Sequence, residues 1–210
     1  LKYLERLEEL GQDDSWTNTE FGFCLSRLKR YEEAIEKINR ALEVDEEDKD
    51  MSYIYSQLGF CKKQLEEYDE AIEAFTQAKK WGRNDAWINV ELGNCYRLKD
   101  DIKKALECNL QAEKFDKKDP YIMSDIAWFY DSLGQYDEGQ KYIKKAMKLA
   151  RNDSWINVEY GACLAGLGKY EEAIEKFEYA LSLKDEEKVL AFIYNQLGWC
   201  YRLLGDYKKA

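Results

Sequence analysis

The chain has 210 residues, 45% hydrophobic and 35% charged, with a formal net charge of −10. This balance excludes a disordered chain, the lack of any apolar run of about 18 residues excludes a membrane span, and the acidic surplus repels phosphate backbones, so neither membrane nor nucleic acid is expected as a partner. There is no histidine, which removes the commonest general base and metal ligand, and one proline with 12 glycines leaves few turn-formers for a sandwich or barrel.

The first ten residues, LKYLERLEEL, align with QKYIKKAMKL at 140–149 and read as a helix. From there the chain repeats itself: DSWTNTEFGFCL starts at Asp14, DAWINVELGNCY at Asp85 and DSWINVEYGACL at Asp153. A small anchor residue recurs at Gly22, Gly59, Gly93, Ala127, Gly161 and Gly198, at spacings of 37, 34, 34, 34 and 37 residues. Twelve residues after each anchor stand Ala34, Ala71, Ala105, Gly139, Ala173 and Ala210, and nineteen after it Ala41, Ala78, Ala112, Ala146 and Ala180. Apolar residues three and four apart, interrupted by KRY, GQY, GKY or GDY, predict helix, short turn, helix in every unit. Asp85, Asp153 and Ser154 are predicted N-caps, and Asp119 with Pro120 places the only proline at a helix start.

The predicted organisation is a single array: 1–10 as the second helix of a preceding repeat, repeats at 15–48, 49–85, 86–119, 120–153 and 154–190, and a truncated repeat at 191–210. Both ends then cut through a hairpin, as in a piece of a longer array.

A 34-residue unit with a Gly or Ala anchor, an aromatic or Leu three residues later, Ala at twelve, Phe or Ile at sixteen and Ala at nineteen resembles the tetratricopeptide repeat. The match extends over essentially the whole chain. The resemblance implies an all-α fold, a right-handed α-solenoid of antiparallel helix hairpins, whose first helices line a concave groove that binds peptides or partner proteins. Three departures stand out: the usual Pro at the repeat end is missing, two units are three residues longer, and Ile102 followed by two lysines makes the turn of the third unit irregular. The family's carboxylate-clamping subclass needs Lys three residues before the anchor. Here those positions hold Thr19, Ser56, Val90, Ser124, Val158 and Asn195.

On a helical wheel, the positions four before, one before, at and three after the anchor form the core stripe. A second stripe lies opposite. Its first row, six before the anchor, is Trp16, Tyr53, Trp87, Tyr121, Trp155 and Phe192. These rings either line the groove or fill the junction with the preceding hairpin. A second row is Glu20, Gln57, Glu91, Asp125, Glu159 and Gln196, and a third is Phe23, Phe60, Asn94, Trp128, Ala162 and Trp199. Carboxylates beside aromatic rings offer a cation both an ion pair and a π face. The stripe is therefore read as a ligand surface comprising Glu20, Phe23, Gln57, Phe60, Glu91, Asn94, Asp125, Trp128, Glu159, Gln196 and Trp199.

Five of six cysteines, Cys24, Cys61, Cys95, Cys163 and Cys200, recur two residues after the anchor, while Cys108 stands elsewhere. One per repeat is too far apart for a disulfide or a zinc site, so they read as small buried residues. Six unpaired thiols suggest a reducing, cytoplasmic setting. No nucleophile–base pair, metal cluster or phosphate loop is visible, so neither enzymatic activity nor a cofactor is expected. The function expected is a peptide- or protein-binding module that favours basic and aromatic segments. The alternatives are a structural array that packs on further repeats or self-associates, and the sensor part of a larger peptide-responsive regulator.

Overall fold

The computed structural model describes residues 1–44, 49–183 and 187–210, which contain twelve helices and no strand. In chain order these are α1 (Lys2–Glu9), α2 (Ser15–Arg27), α3 (Tyr31–Glu43), α4 (Met51–Gln64), α5 (Tyr68–Lys80), α6 (Ala86–Leu98), α7 (Ile102–Phe115), α8 (Pro120–Ser132), α9 (Tyr136–Leu149), α10 (Ser154–Gly166), α11 (Tyr170–Ser182) and α12 (Glu187–Leu203). Two compact units form, Leu1–Cys108 and Asn109–Ala210, and the division falls within α7.

Five first helices, α2, α4, α6, α8 and α10, start on an aspartate. The side chains of Asp14, Asp50, Asp85, Asp119 and Asp153 accept hydrogen bonds from backbone N–H groups of the first turn, satisfying donors that have no partner within the helix. Pro120 takes the first helical position behind Asp119. Ser154 is not a cap. Asp153 already holds the Ile156 N–H, and the Ser154 hydroxyl faces the Ala180 carbonyl at 3.4 Å.

Each hairpin turn passes through one left-handed residue, seven positions after the anchor. In unit 1 these are Lys29, Glu66 and Asp100, with φ of 61°, 63° and 62°; in unit 2 they are Gly134, Gly168 and Gly205, with φ of 72°, 74° and 79°. The third turn is therefore regular. Asp100 adopts the same conformation as its counterparts and α7 starts at Ile102 on schedule, because the backbone conformation of the turn does not depend on the aromatic ring that follows it elsewhere.

In unit 1, α2 pairs with α3 and α4 with α5, α1 lies on α2, and α2, α4 and α6 touch in series. In unit 2, α8 pairs with α9 and α10 with α11, while α8, α10 and α12 touch in series. The small residues in register let the helices close. Ala34, Ala71, Ala173 and Ala180 are fully buried, and a Cβ added at Gly22, Gly59 or Gly161 would come within 2.6–2.7 Å of Ile38, Phe75 or Phe177. One hairpin exchanges the two sizes, with Ala127 on the first helix and Gly139 on the second. The space a Cβ at 139 would need is occupied by the Asp131 carboxylate.

The two long spacers include residues 45–48 and 184–186, so the expected boundary at 48/49 touches residues outside those described. The expected boundary at 190/191 lies inside α12. Residues 207–209 form a turn in which the Lys209 and Ala210 N–H groups both donate to the Asp206 carbonyl at 3.2 Å, the latter in the spacing of a helical turn. All six cysteines are free thiols, and burial pushes Cys61 and Cys95 up to about 12 and Cys108 to about 11. Among the described residues no helix is long and apolar enough to cross a membrane.

Candidate functional site

The candidate residues all lie on first helices, and each unit presents three such helices. In unit 1 the aromatic row is partly tied down. Trp87 meets Phe75 of the preceding hairpin edge-on at 5.9 Å, and the Arg83 guanidinium lies 4.7 Å above the Trp87 ring. Tyr53 reaches back to Glu20 on α2, with 3.5 Å between the hydroxyl and a carboxylate oxygen. Trp16 stays 67% exposed. Glu91 on α6 is only 9% exposed, and it is neutralised within the unit by an ion pair with Lys63 from α4. The Lys63 ammonium also lies 5.6 Å over the Phe60 ring. The cation that this aromatic and acidic surface attracts is therefore one of the chain's own. Phe23, Gln57 and Asn94 are half-buried beside it.

Unit 2 has the same register without that cation. Two repeats or 68 residues on, Asp131 takes the place of Lys63 and Glu159 that of Glu91, with 28 residues from 63 to 91 as from 131 to 159. Glu159 is 8% exposed and has no hydrogen bond or ion pair among the described residues. Burial, followed by the charges of Asp125 and Asp131, pushes its carboxyl up to about 8. Asp131 has one carboxylate oxygen buried with no hydrogen-bond partner. Burial raises it to about 6, with the Cys163 thiol beside it offsetting part of the shift. Around these acids Tyr121, Trp128, Trp155, Phe192 and Trp199 expose ring surface. Tyr121 donates to the Asp153 carboxylate at 2.7 Å, Trp199 meets Tyr170 edge-on at 5.9 Å, and Gln196 is half-buried on α12.

Among the described residues no three His, Cys, Asp or Glu side chains converge closely enough to hold a metal ion. Lys63 and Asp131, which decide the charge of each site, are absent from the sequence-based selection. Both stand four residues after an anchor, and the 28-residue offset to the acid row is the signal that marks them.

Sequence models of the tetratricopeptide repeat match residues 13–80, 152–210 and 121–153. The chain belongs to the tetratricopeptide repeat family. Its solved structural neighbours share that helical-repeat fold at low identity. YrrB, described as a tetratricopeptide repeat protein with an unusual peptide-binding site, is 19% identical with a TM-score of 0.72, over 89% of this chain and 94% of its own. A tetratricopeptide repeat protein from Parabacteroides merdae is 14% identical with a TM-score of 0.81, over 91% and 74%. PilF of Pseudomonas aeruginosa is 16% identical with a TM-score of 0.73, over 93% and 86%. Comparison with curated proteins returns no match. The fold class expected from the sequence, an all-α helical-repeat solenoid, is that of the family, and tetratricopeptide repeats serve in general as protein-interaction modules.

Proposed function

We propose that the chain is a non-enzymatic interaction module whose unit 2 face, formed by α8, α10 and α12, takes up a partner segment bearing Lys or Arg together with aromatic residues. One observation carries this reading: Glu159 is buried beside Asp125 and Asp131 without the cation that its counterpart Glu91 receives from Lys63. A cationic side chain entering from a partner supplies that missing charge, and its stem and neighbours pack on the exposed rings of Trp128, Trp155 and Trp199. The unusual peptide-binding site described for YrrB supports the reading by analogy of fold.

The proton on Glu159 makes the test specific. A bound cation stabilises the carboxylate, so binding expels the proton. Calorimetric titration of a Lys/Arg-rich, Trp-containing peptide should therefore release close to one proton per site near pH 7 and should tighten as pH rises toward about 8. Affinity should fall with salt. Stronger binding of an acidic peptide, or an affinity independent of pH from 6 to 9, would overturn the reading.

A further inference from the structure

Unit 2 contains a second unsatisfied site, away from the acidic face. The residue four before the anchor is Asn in the first, third and fifth repeats, and in each its amide group ties down the loop that leads into the first helix. Asn89 is fully buried. Its Nδ2 donates to Asn84 Oδ1 at 3.0 Å and to the Asp85 carbonyl at 2.7 Å, and its Oδ1 accepts from Lys79 Nζ at 2.9 Å. Asn157 is equally buried, and its Nδ2 donates to the carbonyls of Arg151 and Asp153 at 2.9 and 2.7 Å. Its Oδ1 has no donor. The register explains the difference: the 68-residue offset from Asn89 to Asn157 takes Lys79 to Met147, which has no proton to give.

Asn157 lines a cleft of about 380 Å³ together with Met147, Arg151, Asn152, Lys176 and Tyr179. None of these belongs to the acidic stripe. Tyr179 donates to Asn152 Oδ1 at 2.9 Å, which fixes one wall. The Lys176 ammonium lies 5.5 Å over the Tyr160 ring, and among the described residues neither Lys176 nor Arg151 forms an ion pair. The cleft thus combines two cations that have no ion pair among the described residues with one buried, unused acceptor. A ligand that satisfies both must bring a negative group and, a few bonds away, an N–H donor. An acidic amino-acid residue carries both, and the volume suits one or two residues.

We propose that this cleft binds an acidic amino-acid residue, its carboxylate meeting Arg151 and Lys176 and its amide N–H donating to Asn157 Oδ1. Recognition here is independent of the basic-segment surface and is tested with separate ligands.

The experiment is a titration of the 15N-labelled protein with N-acetyl-aspartate N-methylamide, the matching blocked asparagine, free aspartate and acetate, followed on the Asn157 side-chain amide. The blocked aspartate should shift that amide saturably, and the blocked asparagine and acetate should bind about tenfold more weakly or worse, each lacking one half of the recognition. Free aspartate binding equally well assigns the site to a small molecule, and weaker binding of it assigns the site to a peptide segment. Met147→Lys supplies the internal donor seen at Asn89 and should abolish the response while raising the melting temperature. Lys176→Gln, a milder exposed change, should weaken the blocked aspartate about tenfold and leave the asparagine analogue unchanged. No saturable shift with the blocked aspartate, or Met147→Lys titrating like the parent chain, would overturn the proposal. So would a melting temperature that does not rise in Met147→Lys, since it would show Asn157 Oδ1 already satisfied by water.

Discussion

Units 1 and 2 are built on the same register, yet they differ at matched positions in how they satisfy their buried polar groups. In unit 1 Glu91 has Lys63 and Asn89 has Lys79. In unit 2 the matched residues Glu159 and Asn157 face Asp131 and Met147 and gain nothing from them. At the turns the pattern reverses: unit 1 holds non-glycine residues in a left-handed conformation that glycines occupy in unit 2. Strain in unit 1 thus lies in the backbone of exposed turns, while unit 2 carries its cost in buried side chains. Only the latter can be relieved by a partner, and that is why the proposed recognition lies in unit 2.

The comparison breaks most visibly at the ion pair. The Lys63 and Glu91 side chains are 13% and 12% exposed, so Lys63→Met strands a buried carboxylate and should cost about 3–5 kcal/mol in urea unfolding. A loss below about 1 kcal/mol would mean that unit 1 does not depend on its internal cation.

How much of this was legible in the sequence follows from which contacts lie within one helix. The hairpins, the aspartate caps and the fully buried Ala34, Ala71 and Ala173 could be read because caps and small-residue registers repeat locally. The rows of candidate residues fall on the first helices for the same reason. The charge state of those rows was not legible from one helical wheel, because Lys63 and Asp131 come from the neighbouring helix and meet Glu91 and Glu159 only after the repeats stack. Asn157 escaped notice since an Asn on a core stripe has meaning only when the donor at 79 is set beside Met147.

Glu159→Gln sharpens the comparison from the other side. The folded Glu159 keeps a proton up to about pH 8, whereas the unfolded residue releases it near 4.5. The folded state therefore binds more protons throughout that window, and stability falls as pH rises across it. By pH 7 this should amount to about 3 kcal/mol, which the glutamine variant recovers while flattening the pH dependence of unfolding. A parent chain as stable at pH 8 as at pH 5 would contradict the burial of an uncompensated acid.

The smallest effects lie in the turns and carry opposite signs in the two units. Lys29→Gly, Glu66→Gly and Asp100→Gly should each raise stability by about 1 kcal/mol, and Gly134→Ala and Gly168→Ala should lower it by a similar amount. Thermal unfolding of the five single variants checks this. Equal signs in both units would remove the turn contrast.

The contact of Asp131 with Gly139 ties a charge on one helix to a missing side chain on the next. A Cβ at 139 would claim the space of the Asp131 carboxylate, so any larger residue there must turn that carboxylate out of its buried place. Turned toward water, the acid sheds the desolvation that now raises it to about 6. The bulk of residue 139 on α9 thereby governs how readily an acid on α8 takes up a proton.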